Sequence, residues 1–354
     1  MYFPAIRCLP LLQRGIGVWL VMCTLVCPIP ASASTLTFVA LPVLPSGPIE
    51  LRVAHVINPR LPRMSDEQIV ILLAATARTA RQHFGVELRF SPVTQIPVAA
   101  LFATIPDARQ LAAANDVFDF KSSQTAALRL ERAFGRGFRL AGESLPGMVA
   151  YAKKHATQVE QSSYETFGAS MAALQLSRVS QWQSRQALDG GAAIDASRFN
   201  EFAYWLALGY GEVPYELVIT NQIIASVEFS YPAVHAAVRG GYTNGITSFS
   251  RLSRFGTYSV WSTYAFTGND DQLVQLRAGE RYSPEEAAEL AGVTATHELG
   301  HQLFHISHPF GQGACVMNPV PMFSYRAWTV GLRPADCLLN SNPAMVPGAV
   351  KFGR

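Results

Sequence analysis

The chain has 354 residues, enough for one large domain or two ordinary ones. Hydrophobic residues make up 49% and charged residues 15%, which excludes a disordered chain, since such a composition can bury enough apolar surface to offset chain entropy. The formal charge is only +3, with no block of five or six like charges, so neither nucleic acid nor an anionic membrane surface is an expected partner.

At the N-terminus, Arg7 and Arg14 flank the approach to an apolar run from Gly15 to Cys27, followed by Pro28, Pro30 and Ala31-Ser32-Ala33. A positive segment, a short apolar core and an A-x-A end read as a secretory signal peptide over residues 1–33. The run falls short of the ~20 residues that span a bilayer. A secreted or periplasmic protein, close to neutral and without stable membrane insertion after signal removal, is expected. Cys8, Cys23 and Cys27 leave with the signal, and Cys315 and Cys337 remain. Two cysteines in an oxidising compartment are expected to pair as a disulfide. The alternative is a metal-thiolate pair, although neither sits in a C-x-x-C spacing.

Residues 34–50, with Pro42, Pro45, Gly47 and Pro48, read as an extended lead-in. Leu51–Ile57 is strand-like. Ser65-Asp66-Glu67-Gln68 is a capping box, and Ile69, Leu72, Leu73, Ala77, Ala80 and Phe84 then form one apolar helical face that Gly85 ends. Val86–Phe90 is a second strand, giving a β-α-β opening with the two strands parallel in one sheet. From about 107 to 211 the texture turns helical, for example over Thr125–Phe134 and Ser170–Gln186, with a break at Gly190-Gly191. This segment shows no recognisable chemistry and is expected to pack on the sheet or its rim as an insertion. Glu216–Phe229 and the aromatic, β-branched Tyr258–Phe266 return to strand texture.

Ser283-Pro284-Glu285-Glu286 opens a last long helix, with a second capping box and proline at the first helical position. Within it lies His297-Glu298-Leu299-Gly300-His301, an HExxH motif. His297 and His301 are one turn apart, so both imidazoles can face one ion, while Glu298 lies about 100° round the helix, near enough to reach a metal-bound water. Of the eight histidines, four fall between positions 297 and 308: His297, His301, His305 and His308. A zinc site is the expectation.

A catalytic zinc takes three protein ligands and keeps one position open. After Glu298 the only acidic residue is Asp336, which excludes a downstream glutamate as third ligand. The candidates are His305, His308, Cys315 and Asp336. His305 is expected to continue the helix about 12 Å along the axis from His297, too far to share one ion unless the helix breaks at 302–304. His308, just before Pro309 where the chain can fold back, is the preferred third ligand.

These residues resemble the metzincin clan of zinc metallopeptidases, whose extended motif is HExxHxxGxxH followed by a methionine turn. His297, Glu298 and His301 map directly onto it; His308 stands one position late and Phe304 occupies the turn glycine. Cys315-Val316-Met317-Asn318-Pro319 looks like the methionine turn, with Met317 as the floor of the site and Met322 as its rival. The segment Ile246–Leu252 together with HELGH and CVMN looks most like the archaemetzincin branch, without that branch's four-cysteine second zinc site.

The resemblance implies an α+β, zincin-like fold with a twisted mixed sheet over the HExxH helix. In that reading residues 51–354 form the metallopeptidase domain: an N-terminal subdomain over 51–106 and 212–306, a helical insertion over 107–211, and a small C-terminal subdomain over 307–354. Substrate would lie along an edge strand, with Tyr258–Phe266 the candidate. The expected function is an exported zinc-dependent endopeptidase acting on a protein or peptide substrate. Zn2+ on His297, His301 and His308 would activate water, with Glu298 as general base, and Tyr325 is a candidate hydrogen-bond donor to the oxyanion. The alternative is a catalytically silent, zinc-binding metzincin-like scaffold acting as a binding protein.

Overall fold

The first helix forms as its sequence signals dictate. In the computed structural model α1 spans Asp66–Phe84: Ser65 caps it by accepting the Gln68 amide, the Gln68 side chain answers to the Ser65 amide, and Gly85 closes it in the left-handed conformation at φ 69°. Residues 37–116, 123–141, 143–194, 198–225, 233–311, 313–320 and 322–353 are described; the expected signal peptide lies outside the described residues.

The strand expected over Leu51–Ile57 is two strands, β1 (Ile49–Leu51) and β2 (Val53–Ile57), which part company at Arg52. After α1, β3 (Leu88–Phe90) pairs parallel with β1, and β4 (Thr94–Pro97) pairs parallel with β2. The β-α-β opening is therefore present, with its strands shared between two sheets. Short α2 (Val98–Phe102) and α3 (Asp107–Asp116) lead into α4 (Ser123–Ala141), which contains the expected Thr125–Phe134 helix. Then come α5 (Leu145–Lys153), α6 (Tyr164–Arg178), α7 (Ser180–Gln183) and α8 (Phe202–Ala207). The single helix expected over Ser170–Gln186 is thus interrupted at Val179, where the Trp182 indole turns in to donate to the Arg239 carbonyl.

Strand texture after 212 resolves into β5 (Leu217–Thr220) and β6 (Ile224–Ala225), broken between them; the remainder of the expected Glu216–Phe229 strand lies outside the described residues. Beyond α9 (Val234–Val238) and β7 (Tyr242–Thr243), β8 (Gly245–Phe249) and β9 (Thr257–Ser262) form an antiparallel pair. Helices α10 (Tyr264–Thr267) and α11 (Asp271–Leu276) precede α12 (Pro284–Phe304), and α13 (Tyr325–Gly331) follows it.

The main sheet has the order β4-β2-β5-β9-β8, with all neighbours parallel except β8. This is a mixed α/β fold. Strands β5 and β9 are buried at every residue, as central parallel strands covered on both faces must be, which is why they read as continuous apolar or β-branched runs. That placement corrects one expectation: Tyr258–Phe266 is not an edge strand. Its strand portion lies between β5 and β8, residues 264–267 turn into α10, and β8 holds the edge. Helix α12 lies against β8 and β9, where Gln302 donates to the Glu216 and Thr257 carbonyls and Ser259 donates to the Glu298 carbonyl. On its other side α12 packs on α1, with the Thr76 hydroxyl meeting the Gly292 carbonyl.

His55 on β2 and His83 on α1 are buried, and burial pushes both imidazoles down from 6.5 to about 4. Among the described residues, neither ring nitrogen of His55 has a hydrogen-bond partner. Both rings stay neutral in the fold but protonate near 6.5 once unfolded. Their contribution to stability is complete above that pH and is lost as pH falls toward 4, on the order of 3 kcal/mol per residue at full expression. Denaturant midpoints are expected to drop between about pH 7 and about pH 4.5, and His55→Leu to flatten that dependence. A midpoint that does not move across this window overturns the account.

Candidate metal centre

Helix α12 starts where Ser283 accepts the Glu286 amide at 3.2 Å with Pro284 in the first turn, and two acidic residues, Glu285 and Glu286, favour its positive end. From Ala287 onward almost every residue is buried, so its second half runs through the interior. His297 and His301 project from one face, their rings 4.8 Å apart.

The helix ends one residue earlier than expected for His305. His305 is its C-cap, in the left-handed conformation at φ 51° and ψ 36°, and its amide donates to the His301 carbonyl at 2.9 Å. A non-glycine residue thus makes the turn, one position after Phe304, and the chain reverses there ahead of His308. The His305 ring is buried against Phe352, its centroid 4.9 Å away, and is not part of the histidine group.

His308 folds back onto the helix. The Nε2 atoms of His297, His301 and His308 stand 3.1 Å apart in each of the three pairings. Each opposite nitrogen faces an acceptor: His297 Nδ1 the Val316 carbonyl at 3.0 Å, His301 Nδ1 the Ile306 carbonyl at 2.6 Å, and His308 Nδ1 the Glu143 carboxylate at 2.7 Å. Donation on the Nδ1 side leaves three Nε2 lone pairs converging. Burial and the neighbouring imidazoles hold His297 well below its ordinary pKa, and burial pushes His301 down to about 3, so protons on these two rings do not relieve this repulsion. A cation does. Three donors on a tetrahedral ion at ~2.0–2.1 Å stand ~3.3–3.4 Å apart, close to the separations here. The donor set therefore fits a metal with three imidazole ligands and an open position.

The other candidates fall away. Cys315 is bonded to Cys337 in the expected disulfide. The Asp336 carboxylate accepts the Ala314 amide and the Arg333 guanidinium. Tyr325 is fully buried and donates to Asn244 Oδ1 at 2.7 Å, so its hydroxyl is already committed. Of the two methionines, Met317 is the one packed against the HExxH helix, at Gly300. It sits in the turn closed by the Asn318 amide on the Cys315 carbonyl at 2.9 Å, and its Sδ lies where a Cβ at Gly300 would be. The same turn presents the Val316 carbonyl to His297. Met322 lies elsewhere, with its Sδ 3.7 Å from an Arg178 nitrogen.

Glu298 is buried beside β8. Thr247 donates to its Oε2 at 2.8 Å, and Oε1 has no hydrogen bond among the described residues. Burial pushes the carboxyl up to about 7, against the opposing pull of Thr247. Gly245 is what admits this side chain: a Cβ there would overlap the Glu298 carboxylate.

Three contributors escaped the sequence reading: Glu143, from the segment expected to carry no chemistry; Thr247; and His235, whose ring meets His308 edge-on at 5.3 Å and whose buried Nδ1 has no partner among the described residues. None carries a local sequence signal, since each acts on a residue more than 50 positions away.

These observations define a mixed α/β protein carrying a three-histidine group able to hold a metal ion. Comparisons with protein-family models, curated proteins and solved structures find no match for the chain.

Proposed function

We propose that this chain is an exported zinc-dependent endopeptidase of metzincin-like type. The observation that carries the reading is the convergence of three Nε2 atoms beside a buried carboxylate that is the residue next to the first of them. Zinc held by His297, His301 and His308 would supply Lewis-acid activation of water and of the scissile carbonyl. Glu298 would take the proton of the attacking water on Oε1 while Thr247 holds Oε2, and would then return it to the leaving amine; the Thr247 hydrogen bond supports this role. The edge strand β8, which carries Thr247, is where an extended peptide would add by strand pairing.

The test is metal content together with hydrolysis of unfolded casein, measured before and after chelation and after zinc is returned. One zinc per chain and chelator-sensitive turnover are expected. One tightly held zinc with no turnover on casein or a peptide library would instead support the silent binding scaffold.

Gly245 gives a second handle. Gly245→Ala places a methyl group on the Glu298 carboxylate, and a shift of about 1 Å in a catalytic group costs on the order of 10²-fold in rate. A loss of that size in kcat/KM, with zinc retained, is expected; unchanged kcat/KM refutes the placement of Glu298.

A further inference from the structure

Two of the three imidazoles are oriented by backbone carbonyls that belong to the helix end and the methionine turn. His308 is different. It lies on irregular chain after a left-handed turn, and its Nδ1 meets a carboxylate contributed from 165 residues earlier. We propose that Glu143 is a positioning residue of the metal centre, holding His308 so that its Nε2 faces the other two, and that the helical insertion is thereby part of the site. The inference rests on reading the three imidazoles as a metal centre.

The Glu143–His308 contact is sheltered, with both side chains about nine-tenths buried, and Glu143 Oε1 also accepts the Ser307 hydroxyl at 3.3 Å. The backbone of Glu143 is fixed in turn by the Tyr164 hydroxyl, which donates to its carbonyl at 2.9 Å from the start of α6. Directly after Glu143, α5 begins at the Ser144 cap and lies on the chain that follows His308. Phe310 lies against Gly147 of α5 and edge-on to Tyr151, and the Tyr151 hydroxyl donates to the Val320 carbonyl. The insertion is thus seated on the loop that bears the third ligand.

A carboxylate behind a ligating imidazole fixes its tautomer and ring angle and raises its basicity, and losing such a partner costs about 10–100-fold in metal affinity. Because the bond is charge-assisted, it constrains a loop-borne ligand more strongly than a neutral carbonyl would.

The experiment measures zinc affinity of the full chain by competition with a chromophoric chelator, alongside the visible spectrum of the cobalt(II)-loaded protein. Glu143→Ala is expected to weaken zinc binding about 10–100-fold and to shift the cobalt bands. Glu143→Gln, which keeps an oxygen acceptor without the charge, should fall several-fold below wild type. In a His308→Ala background, Glu143→Ala should change zinc affinity no further, because Glu143 acts through that ring alone. Wild-type affinity and spectrum in Glu143→Ala, or an equal loss with and without His308, overturns the proposal. Where Glu143→Ala does not fold, Glu143→Gln decides, and unchanged affinity there overturns it. A wild-type protein that binds no zinc ends this proposal together with the metal-centre reading. Zinc binding without peptide turnover, with the Glu143 effects as stated, supports it while ending the peptidase reading.

Discussion

Glu298→Gln is expected to abolish most peptide hydrolysis, by about 10²–10⁴-fold, while zinc content stays at the wild-type value. Glutamine matches the volume of the side chain that fits against Gly245, and its amide can still meet the Thr247 hydroxyl, so packing beside β8 is preserved. What it lacks is a basic oxygen to accept a proton. The three imidazoles are untouched, because none of their Nδ1 partners is Glu298: they lean on Val316, Ile306 and Glu143. Steady-state kinetics on a fluorogenic peptide and metal analysis of the same preparation check both halves. Full turnover in this variant would remove Glu298 from the chemistry, and loss of zinc would show that it had been misassigned as a non-ligand.

His308→Ala should weaken zinc binding to a residual affinity that competition can still measure, a larger loss than the roughly 10–100-fold expected for an outer partner such as Glu143. Removing one of three converging Nε2 donors leaves two imidazoles on one helix turn, which cannot by themselves complete the ligand set of a catalytic site. The sharp comparison is His305→Asn. Asparagine tolerates the left-handed conformation that His305 adopts at the helix end, and the His305 ring is turned away toward Phe352, so this variant should bind one zinc as wild type does. Equilibrium dialysis with both variants separates the two histidines. If His305→Asn loses zinc and His308→Ala keeps it, the third ligand has been wrongly placed.

Much of this was legible along the chain. The capping box at Ser65, the Ser283 cap, the glycine stop at Gly85 and the one-turn spacing of His297 and His301 are local rules, satisfied by residues within four positions of one another, and appear in the fold; the second half of the box expected at Ser283 does not form, because the Glu286 carboxylate pairs with Arg326 instead. The pairing of Cys315 with Cys337 followed from reading residues 1–33 as a signal peptide, whose removal would leave no other cysteine. Strand placement was less accessible. Whether Thr257–Ser262 is central or at an edge depends on what pairs with each side of it, and the residue pattern of a buried strand is the same in either case.

The sequence by itself determined the helix that carries the HExxH motif, two members of the histidine group and the adjacent carboxylate, and the short list from which the third histidine comes. The tertiary structure decided the rest: that the chain turns at His305 and returns His308 to the pair, that Thr247 and Gly245 shape the pocket of Glu298, and that Glu143 reaches His308 across 165 positions. The physical reason is range. Backbone hydrogen bonding and helical periodicity act over a few residues and leave their mark in order. A buried imidazole or carboxylate instead takes whatever partner the packing of distant elements brings to it, and nothing near it in the chain records which one that will be.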